Sequence, residues 1–192
     1  MLLSMLASNV DSQFQKAGFD ESKVFETHGS LAYQQCIAQC EGSGVWADPA
    51  VARGAPLNVN KKTFRIEDES LLPKCPSCKG NARPNVSFFS DTDNSFNNER
   101  QALQKRNLFQ WLDTVKGKSH EKVLVVEIGC GTSIHSLRFE TEILLYHTPE
   151  LKDRVSMIRI NPSHPSVEEN SEFHVGIGAG AKESLLAIKN LL

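Results

Sequence analysis

The sequence predicts an α/β fold with a mainly parallel sheet and a small inserted lobe that is held together by cysteines. Apolar strand-like runs alternate with helical runs in the C-terminal half, and two close cysteine pairs lie in an irregular stretch nearer the N-terminus. With 192 residues the chain is long enough for one domain with a buried core. We expect residues 1–30 and 85–192 to form the sheet-bearing part of that domain and residues 31–84 to form the lobe.

The individual elements are predicted in chain order from the length and spacing of the apolar runs. The N-terminal half contains a buried strand at 2–7, a short helical turn that ends near Gly18, and an irregular region from 24 to about 89. The C-terminal half begins with a helix over "NERQALQKRNLFQWLDTV", whose apolar residues follow helical spacing, and a strand "KVLVVEIG" that runs into the loop "GCGTS". The remaining predicted elements are a helix through "RFETEILLYH", the strands "RVSMIRIN" and "EFHVGIG", and a closing helix "AKESLLAIKNLL".

Charge and cysteine content limit the classes of function. A net charge of −2 and a pI near 6.3 give no broad basic field, so we expect neither nucleic-acid nor membrane binding. The apolar start "MLLSMLAS" lacks a basic leading segment and is too short to span a bilayer. Cysteines without a secretory signal indicate an intracellular compartment, cytoplasmic or nuclear, where thiols bind metal or stay free.

The two cysteine pairs have the spacing of a metal site. They are separated as C-x3-C and C-x2-C, and short turns of this kind place two sulfurs about 2.3 Å from one tetrahedral zinc ion. Four thiolates leave no open coordination position, so the predicted zinc is structural. Two unrelated pairs of buried thiols remain the alternative. The predicted ligands are Cys36, Cys40, Cys75 and Cys78.

The stretch "VVEIGCGTS" is a strand that leads into a loop of small residues and then a helix. Backbone N–H groups at such a turn can hold phosphate. The stretch also resembles the glycine-rich motif of methyltransferases that bind S-adenosylmethionine. Against that alternative, the motif arrives late in the chain, and the next strand ends in "RIN" rather than in an acidic residue.

Six motifs in the same order resemble the sirtuins, which are NAD-dependent protein deacylases. They are "SNVDSQFQKAG", "THGS", the two cysteine pairs, "RPNVSFFSD", "EIGCGTS" and "RINP", and together they span almost the whole chain. The first loop has a phenylalanine where many sirtuins have histidine, and in this respect it resembles a microbial branch of the family. The resemblance implies bound NAD, a structural zinc ion and an acyl-lysine protein or peptide as substrate.

The resemblance also implies roles for individual residues. It places Asn9 and Asp11 at the nicotinamide pocket and makes His28 the catalytic base, a task that suits an imidazole of ordinary pKa about 6.5. It puts five residues on the adenosine side of NAD: Gly129, Gly131, Thr132, Ser133 and Asn161. By themselves, Asn9 and Asp11 are also common turn formers, and His28 alone could be a surface or capping histidine.

Some positions depart from the family pattern. Ser8 replaces a glutamine that usually touches the ribose, and Ser90 and Asp91 replace the Gly-Glu beside the segment that pairs with the acyl-lysine peptide. The glycine-rich strand–loop–helix that cradles the NAD pyrophosphate is expected to be missing. We therefore predict an incomplete Rossmann-like sheet of four strands, near 2–7, 123–128, 155–160 and 173–178, with an uncovered apolar edge.

Three explanations for the missing segment stay open: a fragment of a longer reading frame, a shortened paralogue, or a partner that supplies the piece and covers the open edge. The function that the resemblance implies is NAD-dependent protein-lysine deacetylation or deacylation, in which the acyl group passes to ADP-ribose and nicotinamide is released. The alternatives are a degenerate, zinc-bound interaction module without turnover and an S-adenosylmethionine-dependent methyltransferase.

Overall fold

The structure is a computed structural model that describes residues 3–48, 59–66, 68–92, 95–133, 136–151, 153–167 and 174–191. The chain divides into two compact units, Met1–Trp111 and Leu112–Leu192. Both predicted boundaries of the cysteine lobe fall inside the first unit. None of the helices in the described ranges is long and apolar enough to cross a membrane.

The first unit starts with two short parallel strands, β1 (Met5–Ala7) and β2 (Val24–Glu26). The connection between them contains helix α1 (Gln13–Lys16), which is the predicted helical turn, and a 3-10 helix at Glu21–Lys23. The predicted strand began at Leu2, which lies outside the described residues. Because β1 and β2 are parallel, their C-terminal ends meet at one edge, and the loops that follow them begin side by side.

A three-stranded antiparallel sheet follows in the same unit, with the order β4-β3-β5. Its strands are β3 (Gly29–Cys36), β4 (Val45–Ala47) and β5 (Ala82–Val86), and a 3-10 helix at Glu69–Leu71 precedes β5. The prediction that residues 24 to 89 are irregular is therefore wrong. The strands escaped prediction because their buried positions are polar, so the sequence shows no apolar alternation.

Amide side chains fill the interior of this sheet. Gln34, Gln35 and Asn85 are at most 1% exposed. The Gln35 Oε1 atom accepts hydrogen bonds from the Asn85 side chain at 2.9 Å and from the Asn97 backbone N–H at 3.1 Å. Gln35 and Asn85 thus depend on specific partners, because a buried amide is costly unless it is paired, whereas the Gln34 amide has no hydrogen-bond partner among the described residues.

Helix α2 (Glu99–Lys116) comes next and confirms the predicted helix. The second unit then contains β6 (Val123–Ile128), α3 (Ser136–Tyr146), β7 (Val155–Ile160), β8 (His174–Ile177) and α4 (Ala181–Lys189). These elements match the predicted ones, and the three strands form a parallel sheet in the order β6-β7-β8. The α/β class is thus confirmed, whereas the predicted count of four parallel strands is wrong because it omitted β2, which pairs with β1.

Strand β6 was predicted to be a buried apolar strand, and this is only half correct. Leu124, Val126 and Ile128 point to one face and are 58%, 44% and 42% exposed. The buried side chain in the middle of the strand is the charged Glu127, at 3% exposure. Because side chains alternate along a strand, one face of β6 is open and the other holds an ion pair that is described below.

Candidate functional site

The four predicted metal ligands lie together in the first unit. Cys36 ends β3 and Cys40 follows in the next turn, while Cys75 and Cys78 occupy the turn before β5. Their Sγ atoms all lie within 4.8 Å of one another, and the Cys36–Cys78 and Cys40–Cys75 separations are both 3.6 Å. A tetrahedral zinc ion with bonds of about 2.3 Å needs sulfurs about 3.8 Å apart. The donor set and its spacing therefore fit a closed, structural zinc site.

The thiols of this cluster differ in acidity. Burial opposes ionisation of Cys75, but backbone N–H groups of Cys78 and Ser77 and the thiols of Cys40 and Cys78 lower its pKa to about 6. Contact with Cys78 and burial raise the pKa of Cys40 to about 12. A cluster that favours a thiolate at one corner and opposes further negative charge at another suits a divalent cation, which would neutralise the sulfurs together.

The predicted nicotinamide-side residues come from the two loops that follow the parallel strands β1 and β2. The Thr27 N–H donates to the Ala7 carbonyl at 2.9 Å, and the Leu31 N–H donates to the Val10 carbonyl at 2.8 Å. These two hydrogen bonds hold the loop of Asn9 and Asp11 against the turn that contains His28. Asn9 and Asp11 are exposed and His28 is half-buried, so all three residues are accessible at this edge.

Local hydrogen bonds shape both loops. Asp11 accepts the Gln13 N–H on Oδ1 at 3.2 Å, which is the turn-forming use of an aspartate at a helix start. The His28 carbonyl accepts the Ser87 N–H at 2.9 Å, so the histidine turn is anchored to the end of β5. Gly29 follows at φ +86°, and a Cβ there would lie 2.1 Å from the Asn85 carbonyl oxygen. Glycine is therefore needed directly after His28.

A buried ion pair behind these loops was missed at the sequence level. Glu26 is 1% exposed, and its Oε2 atom accepts from the Arg100 guanidinium at 2.7 Å. Arg100 also donates to Glu21 at 2.8 Å and stacks 4.0 Å above the Tyr33 ring. Burial lowers the pKa of Arg100, but the bonds to Glu21 and Glu26 more than offset this, and the pKa lies above its ordinary value. No local pattern signals the pair, because its members are 74 residues apart.

The predicted adenosine-side residues all lie in the second unit, and Asn161 joins the glycine loop there. Its Nδ2 donates to the Cys130 carbonyl at 2.9 Å, and its Oδ1 accepts the N–H groups of Ser163 and His164 at 2.9 Å each. Gly129 has φ +70° and turns the chain out of β6. Gly131 and Ser133 are exposed and Thr132 is half-exposed. The loop is therefore accessible, and its use in binding an anion stays a prediction.

A second buried ion pair supports this loop. Glu127 accepts from Arg159 at 2.6 and 3.1 Å and from the Thr141 hydroxyl at 3.0 Å. The Arg138 guanidinium donates to the carbonyls of Cys130 and His164, both at 2.8 Å. Burial and the Glu127 charge raise the pKa of Cys130 to about 11, so this thiol stays protonated and is a poor nucleophile. The sequence does contain a signal for this pair: one predicted strand carries an acid, Glu127 in "VVEIG", and the next carries a base, Arg159 in "RIN".

With this geometry in place, the comparisons with known proteins decide the family. The Sir2 family model matches residues 1–116. The chain belongs to the Sir2 family. The sirtuin resemblance of the sequence is thereby confirmed, and the four-cysteine cluster of this Sir2-family chain lies entirely within the matched residues.

Relatives of this Sir2-family chain carry two kinds of name. One is the "Probable bifunctional ADP-ribose hydrolase/ADP-ribosyltransferase" of Fusarium oxysporum f. sp. cubense, 26% identical over 156 residues, which cover 80% of this chain and 24% of the relative. Another is the mouse "NAD-dependent protein deacetylase sirtuin-3", 26% identical over 94 residues, which cover 47% of this chain and 23% of the relative. The chain thus spans about a quarter of the length of these two proteins.

Solved structures show the same fold. The "crystal structure of a Sir2 homolog-NAD complex" superposes with a TM-score of 0.56 at 19% identity. The likeness covers 98% of this chain and 57% of the solved one. It therefore confirms the Sir2 fold.

Proposed function

We propose that this Sir2-family chain takes part in NAD-dependent removal of acyl groups from lysine side chains of proteins or peptides, with transfer of the acyl group to ADP-ribose. The observation that carries the proposal is the pair of backbone hydrogen bonds, Thr27 to Ala7 and Leu31 to Val10, that brings His28 beside Asn9 and Asp11. These are the residue types that the chemistry requires, and in this chain their loops leave the same edge of the parallel strands β1 and β2.

Each residue has a task in the proposed reaction. When bound, NAD would supply the ribose carbon that accepts the acyl oxygen and the nicotinamide that leaves. The His28 imidazole would take the proton from a ribose hydroxyl, because an imidazole changes protonation near neutral pH. Asn9 and Asp11 would hold the carboxamide of the nicotinamide and favour its departure.

The other predicted residues would bind rather than react. Gly129, Gly131, Thr132, Ser133 and Asn161 would hold the adenosine side of NAD through the exposed loop of the second unit. Zinc on Cys36, Cys40, Cys75 and Cys78 would fix the end of β3 and the turn before β5 without touching the substrate.

The test is nicotinamide release from NAD and an acetyl-lysine peptide. His28→Ala should lower the rate by about 100-fold or more, which is the usual contribution of a general base. His120→Ala is the matched control, because His120 is an exposed histidine in a turn of the second unit and should leave the rate unchanged. Equal release by the wild-type chain and His28→Ala would remove deacylation as the function and favour the interaction module without turnover.

A second candidate is transfer of ADP-ribose to a protein acceptor. It is favoured by the match to the "Probable bifunctional ADP-ribose hydrolase/ADP-ribosyltransferase", which covers 80% of this chain against 47% for sirtuin-3. Mass spectrometry of the same reaction separates the two, since deacylation yields acyl-ADP-ribose and a peptide with a free lysine amine, whereas transfer leaves ADP-ribose on the acceptor. The match to the Sir2 family model favours both of these candidates over the methyltransferase alternative.

A further inference from the structure

Ser12, directly after Asp11, has a backbone conformation that residues with a Cβ rarely adopt. Its φ and ψ are 54° and 32°, in the left-handed region. The side chain is 8% exposed, and its Oγ lies 2.6 Å from the Ser30 Oγ and donates to Glu26 Oε1 at 3.2 Å. These two contacts offset the unfavourable backbone conformation and fix the direction in which the chain leaves Asp11.

Glu26 in turn is fixed by helix α2. Its carboxylate accepts from Arg100 at 2.7 Å, and its backbone N–H donates to the Gln104 side chain at 3.1 Å. A carboxylate as buried as this one is stable only while it is paired. Glu26 stands two residues before His28, and Ser12 stands one residue after Asp11. The Arg100–Glu26–Ser12 contacts therefore reach both loops of the proposed site from behind.

We infer that Arg100 and Glu26 are a positioning pair for the proposed site: acting through Ser12, they hold the loop of Asn9 and Asp11 against the turn of His28. Neither residue touches substrate or cofactor in this role. The inference rests on the proposed function in so far as Asn9, Asp11 and His28 are the reacting and binding residues. Its structural part, the coupling of the pair to the two loops, is testable without any activity.

Amide hydrogen exchange of the full chain measures that coupling at the two bridging amides, Thr27 and Leu31. Arg100→Met removes the charge and the hydrogen bonds, and it should speed exchange at both amides by about tenfold. Two other amides of the first unit, Ile37 bonded to Asn81 and Ala82 bonded to Pro73, serve as internal references and should change by less than about twofold. An equal acceleration at all four amides would mean that Arg100 only stabilises the unit, and no acceleration at Thr27 and Leu31 would also overturn the inference.

Substitutions at Ser12 separate the backbone from the side chain. Ser12→Ala loses both hydrogen bonds and keeps the Cβ that disfavours positive φ, whereas Ser12→Gly loses the same bonds but accepts this conformation freely. We expect Ser12→Ala to speed exchange at Leu31 several-fold more than Ser12→Gly does. Equal exchange in the two variants would show that the pair does not act through the backbone of Ser12.

Arg83→Met is the matched control for loss of an arginine. It breaks the Arg83–Asp91 pair of the same unit, in which the nitrogen and oxygen are 2.8 Å apart. Exchange at Thr27 and Leu31 should stay unchanged in this variant. Acceleration as large as that of Arg100→Met would show that any lost ion pair loosens the loops, which contradicts a specific positioning role.

Activity measurements test whether the Arg100–Glu26 pair affects the proposed reaction. In nicotinamide release, Arg100→Met should lower kcat at least tenfold with little change in the KM for the peptide, and Arg100→Lys should restore part of kcat because it keeps the charge. A large rise in the peptide KM with unchanged kcat would contradict positioning of the reacting groups. A wild-type chain that releases no nicotinamide would refute the proposed function, while the exchange measurements would still decide the coupling.

Discussion

Both compact units bury a glutamate–arginine pair, but the two pairs join different kinds of neighbours. In the second unit, Glu127 and Arg159 stand opposite each other on adjacent strands of a parallel sheet. In the first unit, Glu26 on a strand meets Arg100 on a helix 74 residues further along the chain. Strand register alone sets the first contact, whereas the second exists only after a helix has packed against the strands.

The same contrast runs through the rest of the two units. The second unit contains a parallel sheet whose three strands are adjacent in sequence order, with α3 between β6 and β7 and α4 after β8. The first unit contains two small sheets, one parallel and one antiparallel, with amides and a four-thiol cluster among its buried side chains. It follows that the first unit should depend on polar partners and on metal, and the second on strand pairing and packing.

Loss of the metal should produce the largest difference between the units. Cys75→Ser or a strong chelator should unfold the β3–β5 region, because structural zinc contributes about 10–16 kcal/mol of binding free energy to small metal-dependent folds. Metal analysis together with hydrogen exchange should show loss of protection in β3 and β5 and retained protection in β6 and β7. Cys130→Ser is the control, since this thiol lies outside the cluster. A chelated protein that retains a protected β3 would contradict this dependence.

Breaking the Glu127–Arg159 pair should give the next largest effect. Removal of Arg159 leaves the buried Glu127 carboxylate with only the longer contact to Arg138, at 3.6 Å, so Arg159→Met should lower the free energy of unfolding by about 3 kcal/mol. The double variant Glu127→Met with Arg159→Met should recover part of that loss, because it removes both members of the closest pair and leaves Arg138 as the buried charge. Urea unfolding of the two variants is the measurement, and a double variant no more stable than Arg159→Met would argue against an electrostatic cause.

A matched pair of glycines compares backbone constraint in the two units. A Cβ at Gly29 would lie 2.1 Å from the Asn85 carbonyl oxygen, and one at Gly176 would lie 2.3 Å from the Pro165 carbonyl oxygen. Only Gly29 also has a positive φ, +86°. Gly29→Ala should therefore destabilise the protein by about 1–2 kcal/mol more than Gly176→Ala, which is the cost of the left-handed region for a residue with a Cβ. If thermal unfolding shows the same loss of stability in both variants, the steric clash of the new Cβ accounts for the whole effect and the positive φ adds nothing.

The smallest effect is expected on the open face of β6. Leu124 is 58% exposed, so Leu124→Ser should change the free energy of unfolding by less than about 0.5 kcal/mol. Met157 is 0% exposed on the neighbouring strand, and Met157→Ala should cost about 2–5 kcal/mol. Urea unfolding of both variants checks whether exposure separates the two faces of the sheet. A loss at Leu124 as large as that at Met157 would contradict the exposure of this face.

The sequence predicted the second unit well and the first unit only in part. The strands over "KVLVVEIG" and "RVSMIRIN" were found because each is a run of apolar residues of strand length, and the helix that ends near Lys116, which lies mostly in the first unit, was found from the helical spacing of its apolar residues. The strand "GSLAYQQC" was missed because its buried side chains are glutamines. The cysteine cluster was predicted by spacing, whereas the roles of Asn9, Asp11 and His28 came from the family resemblance and remain predictions.

By itself, the sequence determined the α/β class, the metal-ligand set and the family, because periodicity, short-range spacing and motif order are all properties of the linear chain. Only the tertiary structure decided that β1 pairs with β2, that buried amides form the interior of the β3 sheet, and that Arg100 meets Glu26. These contacts join residues that are far apart in sequence and polar in character. Their stability comes from pairing with one specific partner, and no local pattern names that partner in advance.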